Sequence, residues 1–169
     1  MRPSHWQTIL AALILSVTLM VAGCTRPDTS PYAQTQQETT QPGAPAAVAR
    51  EAEQGSRFNK FFPTGGNGYS VVYTQEKKGF SEAKLKRNGQ DVAMLSISDT
   101  ISLPAAADKY KAATETLAGY PVLEIGDTQT GVLVGDRYQV KVQSRDPSFT
   151  PQDRRNWLQK FDLNGLSKL

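Results

Sequence analysis

The chain has 169 residues, room for one ordinary domain plus additional segments. Its formal charge of +3 drops by one if Arg2 is removed, too even a balance to imply nucleic acid, which calls for a strongly basic face. A single cysteine, Cys24, and a single histidine, His5, leave no material for an internal disulfide, Cys/His metal sites, His-ligated haem or His-based catalytic triads.

The N-terminus carries an export pattern. Met1–Gln7 is short and weakly positive, and Ile9–Ala22 is almost wholly apolar. As a helix this run of about 14 residues would span only ~21 Å, short of the ~30 Å hydrocarbon core. It therefore reads as the apolar region of a signal peptide and not as a membrane span. The run ends Val21-Ala22-Gly23-Cys24, small residues that suit a narrow peptidase site, followed by a thiol that can accept a lipid.

This tetrapeptide resembles the lipobox of bacterial lipoprotein precursors. The resemblance implies diacylglyceryl transfer to Cys24, cleavage between Gly23 and Cys24 with loss of residues 1–23, and often N-acylation of the new amine. Two or three acyl chains anchor stably where one is marginal. The alternative is an ordinary cleaved signal with an incidental cysteine. By analogy with lipoprotein sorting in some Gram-negative bacteria, Thr25 after the cysteine, in place of Asp, favours the outer membrane over the inner one. The expected location is extracytoplasmic and membrane-anchored.

Residues 24–57 are rich in Thr, Gln, Pro, Ala and Ser, a composition that buries too little apolar surface to offset its chain entropy. The expectation is a disordered tether, with at most a transient helix in Ala46–Glu53. Composition changes at Phe58, and residues 58–169 form a single α+β domain. Phe58, Phe61 and Phe62 fit one face of a helical turn stopped by Pro63, an anchor for the domain's start. The following Thr64-Gly65-Gly66-Asn67-Gly68 lacks the Lys-Ser/Thr of a phosphate-binding P-loop and reads as a loop.

Strands follow. Tyr69–Gln75 alternates Tyr69, Val71 and Tyr73 with smaller or polar neighbours. Asn88-Gly89 signals a two-residue type I′ hairpin. That turn sets Arg87 opposite Gln90, Lys86 opposite Asp91, Leu85 opposite Val92 and Ala83 opposite Met94, with Ala83, Leu85, Val92 and Met94 on one face. Pro104–Ala118 reads as a helix with an inner stripe of Ala106, Tyr110, Ala113 or Thr114, and Leu117, stopped by Gly119. Pro121–Gly126 is a strand. A second hairpin at Gly135-Asp136 pairs Leu133 with Tyr138 and Gly131 with Val140, so that Tyr138, Val140 and Val142 point inward. Thr150-Pro151-Gln152-Asp153 is a variant capping box that opens a last helix with the stripe Trp157, Leu158 and Phe161. The order βββαβββα predicts a two-layer antiparallel sheet with two helices on one face.

Each chemical constellation has a plain structural reading beside it. Lys77, Lys78, Lys84, Lys86 and Arg87 could meet anionic headgroups or glycan-linked acids, but Glu76, Glu82 and Asp91 are interleaved, as on a solvated face. Arg154, Arg155 and Lys160 are expected opposite the Trp157/Phe161 stripe, as on an ordinary amphipathic helix. Ser96, Ser98, Asp99 and Thr100 have no base beside them and suit a strand end feeding a cap. Asp127, Asp136 and Asp146 lack calcium-loop spacing. Tyr69, Tyr73, Tyr138 and Trp157 suit a core. No catalytic residue, metal or cofactor is assigned.

From Asp91 onward the expected order strand–helix–strand–strand–helix, with Leu117-Ala118-Gly119-Tyr120-Pro121-Val122 and Tyr138-Gln139-Val140-Lys141-Val142, is similar to the septal peptidoglycan-binding repeat known as the SPOR domain. Its small-residue turns read Ser98-Asp99 and Ser144-Arg145 here, its fourth strand is missing, and two strands precede the match, so no binding residues carry over. The expected function is a lipid-anchored, non-enzymatic module that binds an envelope protein or cell-wall component. The alternatives are a glycan-binding module of SPOR type and an enzyme relying on carboxylate, Tyr, Ser or Lys chemistry.

Overall fold

A computed structural model describes residues 48–169; the apolar run, Cys24 and the tether up to residue 47 lie outside the described residues. The first element is a 3₁₀ turn, Gly55–Phe61, that places Phe58, Phe61 and Phe62 in the core. Seven antiparallel strands follow: β1 (Tyr69–Lys77), β2 (Phe80–Arg87), β3 (Gln90–Asp99), β4 (Glu115–Leu117), β5 (Tyr120–Ile125), β6 (Gln129–Val134) and β7 (Tyr138–Ser144). They form one sheet in the order β1-β2-β3-β7-β6-β5-β4. Two meanders, β1–β3 and β4–β7, meet at the β3–β7 pair, where Leu95 faces Val142 and Ile97 faces Val140. Short helices α1 (Pro104–Asp108), α2 (Pro151–Leu158) and α3 (Leu163–Leu166) complete a mixed α+β fold dominated by its sheet.

One sheet face carries Ala83, Leu85, Ala93, Leu95, Ile97, Val132, Val140 and Val142, all fully buried. The 3₁₀ turn, α2 and α3 cover it with Phe58, Phe62, Trp157, Leu158, Phe161 and Leu166. Aromatic contacts join cover to sheet, with Phe58 edge-on to Tyr138 at 5.9 Å and Trp157 tilted against Tyr69 at 5.1 Å. The Asp162 N–H donates to the Phe61 carbonyl at 3.0 Å, linking the C-terminal cover to the first turn.

Four local expectations are corrected. Asn88-Gly89 forms the expected turn with both residues at positive φ, and Arg87–Gln90 and Lys86–Asp91 pair as read. Val92 is then the extra residue of a β-bulge, so Leu85 meets Ala93 and Ala83 meets Leu95. At the bulge the Val92 carbonyl accepts from Arg145 and Asp146 N–H, at 2.9 and 3.3 Å, just past the end of β7. The second hairpin has a three-residue loop, Gly135–Arg137, which pairs Val134 with Tyr138 and Gly131 with Lys141, one residue off the expected register.

The Pro104–Ala118 helix is replaced by α1, a 3₁₀ turn at Lys109–Ala112, and strand β4. Ala118 and Gly119 take φ values of 52° and 86°, a type I′ turn that pairs Leu117 with Tyr120. The expected stripe is consequently split. Leu117 belongs to the core, whereas the Tyr110 hydroxyl meets Gln139 on the opposite sheet face. The segment Pro104–Ala112 therefore packs on the other face from α2, and the order βββαβββα is not the one observed.

The packed chain also reaches back beyond Phe58. Ala52 is buried, and the Glu53 carbonyl accepts from Gly79 N–H at 2.6 Å. Gly55 is tight by necessity, because a Cβ there would lie 2.5 Å from the carbonyl oxygens of Lys77 and Phe80. No helix among the described residues is long and apolar enough to cross a membrane.

Candidate functional site

The basic hairpin is largely occupied with its own partners. Lys84 and Lys86 both reach the Asp91 carboxylate at 2.6 Å, holding that carboxyl below its usual range. The Lys78 ammonium donates to the Arg50 carbonyl at 2.6 Å. Lys77 lies over the Phe80 ring and Arg87 over Tyr69. The arrangement spreads these cations along β1 and β2 and does not converge them on one ligand.

Arg154 and Arg155 part company. Arg154 is only 3% exposed, which corrects the expectation that it lies on the solvent face of the last helix. Its Nε donates to Thr130 Oγ1 at 2.8 Å, and its Nη1 and Nη2 to Ser144 Oγ and Glu124 Oε2 at 3.0 Å each. These partners sit on β6, β7 and β5, so the guanidinium fork clamps α2 to the sheet. Arg155 stays nearer the surface and reaches Glu115 and Glu124. Burial pushes the Glu124 carboxyl up, but bonds from Thr130, Arg154 and Arg155 outweigh it and leave it below its ordinary value.

At the other end of the sheet Asp99 forms a second polar hub. Its side chain is fully buried and accepts from Arg137 Nε at 3.0 Å and Nη2 at 2.7 Å. It also accepts from the Glu53 and Ile101 backbone N–H groups, the second of these capping the 3₁₀ turn Thr100–Ser102. Burial raises the carboxyl, but the Arg137 and backbone bonds prevail and lower it overall. The strand-end reading of this cluster is the arrangement observed: Asp99 caps and clamps. Ser96 and Ser98 leave the cluster, since they lie on the face opposite Asp99.

That opposite face holds Tyr110, which the sequence reads as part of a helix's inner stripe, and Lys141, which it does not single out. Burial pushes the Tyr110 hydroxyl up to about 12, against the bond from Gln139. Burial and nearby Lys109 push the half-buried Lys141 ammonium down, with Glu82 opposing. For Lys141 the signal was its alternation with Gln139 along β7.

Among the clefts of the described residues, two stand out by their lining. One, of about 310 Å³, lies between the glycine-rich loop Gly65–Asn67 and the aromatic pair Tyr69 and Trp157, with the Lys160 ammonium 5.2 Å from the Trp157 ring centre. The other, of about 470 Å³, is framed by Ile101, Pro104, Ala107, Leu133 and the rim residues Lys111 and Arg137. Among the described residues no three His, Cys, Asp or Glu side chains converge as metal ligands. Comparison with known proteins returns no match, whether against family models, curated proteins or solved structures.

Proposed function

We propose that the chain is an extracytoplasmic lipoprotein, held on a membrane through a lipidated Cys24, whose folded part binds an envelope protein or cell-wall component without doing chemistry. The observation that carries this reading is Val21-Ala22-Gly23-Cys24 at the end of an apolar run too short to span a bilayer. The outer membrane is the favoured destination, from Thr25. The internal partnering of the strongest charges supports a binding role, since Arg154, Asp99 and Asp91 are each engaged in holding the fold. The test is Cys24→Ser followed by fractionation and acyl-chain labelling. The variant is expected in the soluble fraction, unlabelled and still folded; retention in the membrane would overturn the anchor.

A second reading, a glycan-binding module, rests on the cleft beside Tyr69 and Trp157. Paired aromatic surfaces with a nearby ammonium suit a sugar ring bearing an acidic group. The chain has two tryptophans, Trp6 and Trp157, so a Trp6→Phe variant reports on this cleft alone. Titration with a disaccharide of N-acetylglucosamine and N-acetylmuramic acid should then change its fluorescence saturably, and Lys160→Ala should weaken the response. An unchanged spectrum at millimolar sugar would remove this reading.

A further inference from the structure

The chain enters the fold at a defined place. Ala49 N–H donates to Ser102 Oγ at 2.9 Å, and the carbonyls of Arg50 and Glu51 accept from Lys78 and Arg137 at 2.6 and 2.9 Å. Glu53 is held on both sides, its N–H by Asp99 at 2.9 Å and its carbonyl by Gly79 at 2.6 Å. Five hydrogen bonds thus fix residues 49–53 across the β1–β2 turn, the end of β3 and the β6–β7 loop. Val48 is therefore fixed to one end of the sheet.

That same end is apolar on its surface. Val48 is 38% exposed, Ile101 38% and Leu103 63%. Among the described residues only two other large apolar side chains are exposed, Val72 and Tyr73 on the edge strand β1. The Ala49–Ser102 bond gathers Val48, Ile101 and Leu103 into one patch, and the 470 Å³ cleft continues it along Pro104, Ala107 and Leu133. Arg50 and Lys78 lie beside the entering chain, and Lys111 and Arg137 line the cleft. The acids there are Glu51, Asp136 and Asp108, the last paired with Lys111 at 2.6 Å.

We propose that this end of the domain rests on a lipid surface, with Val48, Ile101 and Leu103 at the boundary between headgroups and acyl chains and Arg50 and Lys78 at headgroup level. The proposal rests on the anchor at Cys24. The 23 residues from Thr25 to Ala47 can reach no farther than ~80 Å when fully extended, which keeps the patch close to the anchoring bilayer. Three apolar side chains would not hold a free protein on a membrane. They suffice for a tethered one, whose effective concentration at the surface is of millimolar order. The chain emerges beside the patch, so a bilayer is the surface this end meets first.

The test uses the full chain, processed and lipidated, in vesicles of phosphatidylethanolamine and phosphatidylglycerol. Cys24 is the sole native cysteine and is consumed by the lipid, so Leu103→Cys and, separately, Val72→Cys each supply one free thiol for a solvent-sensitive fluorophore. The expected result is flotation of both variants, with blue shift and quenching by a lipid-borne quencher at position 103 and neither at 72. Adding Ile101→Asp should abolish the quenching while flotation persists. Flotation with both probes in water overturns the docking proposal alone. Failure to float, with a second thiol labelled at Cys24, overturns the anchor and the docking with it. A blue shift at 103 without vesicles shows a protein surface covering the patch, which also overturns the lipid assignment.

Discussion

Arg154 shows how one side chain can be misplaced by composition and correctly placed by spacing. Positions 154, 157, 158 and 161 stand at i, i+3, i+4 and i+7, so the helical repeat puts this arginine in the same stripe as Trp157, Leu158 and Phe161. A charged residue in such a stripe has to find partners, and it does so on three strands distant in sequence. Arg154→Ala removes three bonds at once and leaves Glu124, Thr130 and Ser144 with only Arg155, each other and the Phe149 carbonyl. We expect a loss of about 2–4 kcal/mol in urea unfolding. Arg154→Lys should recover less than half of it, because an ammonium cannot reproduce the three-way fork. Arg155→Ala, nearer solvent, should cost under about 1 kcal/mol. Equal losses at the two positions would show that the clamp contributes nothing beyond surface charge.

At the scale of elements, the legible features were those fixed by neighbours in the chain. Asn88-Gly89, the Thr150–Asp153 capping box and the Phe58–Phe62 turn all form as read, since each is closed by bonds or contacts within a few residues. The first hairpin's register was legible only for the two pairs next to its turn, and the second hairpin's was not. Val92 drops out of its pair with Leu85 at a bulge, and its carbonyl is held by Arg145 and Asp146, more than fifty residues downstream; the Gly135–Arg137 loop takes one residue more than its two turn formers suggest. Pro104–Ala118 failed for a different reason. Its alanines favour helix, but Thr116 favours strand, and β5 offers Glu115–Leu117 a partner. Ala118 is left at positive φ, where a β-carbon costs energy and asparagine costs less. Ala118→Asn should accordingly stabilise the protein by about 0.5–1 kcal/mol, raising Tm by roughly 2–4 °C. An unchanged or lower Tm would contradict the type I′ assignment. The candidate sites were less legible than the fold, because Asp99, Glu124 and Lys141 acquire their roles only when strands far apart in sequence become neighbours.

For the whole molecule, Asp99 and Glu124 act as polar fasteners at separate parts of one sheet, and both carboxyls titrate below their ordinary values of 3.8 and 4.5. The folded chain thus binds fewer protons than the unfolded chain around pH 4. The stability these groups supply is complete above the ordinary carboxylate range and is lost as pH falls through the folded-state values. Thermal midpoints should stay level from neutral pH to about 5 and fall below about 4.5. Asp99→Asn should be less stable at neutral pH and show a shallower acid decline. An acid slope as steep as that of the unaltered protein would remove Asp99 from this account.

The placement of α2 and α3 has a consequence for how the protein is made. Both helices and the link between them follow all seven strands in chain order, yet this segment supplies Trp157, Leu158, Phe161 and Leu166 to the cover of the apolar sheet face. A chain synthesised from its N-terminus can close every hairpin while that face is covered only by the Phe58–Phe62 turn. Such an intermediate presents valines and leucines in register, the kind of surface that sticks to its own copies. A nascent chain halted before Pro151 is thus the form in greatest need of a chaperone, and binding of a holdase should drop abruptly once residues 151–169 emerge.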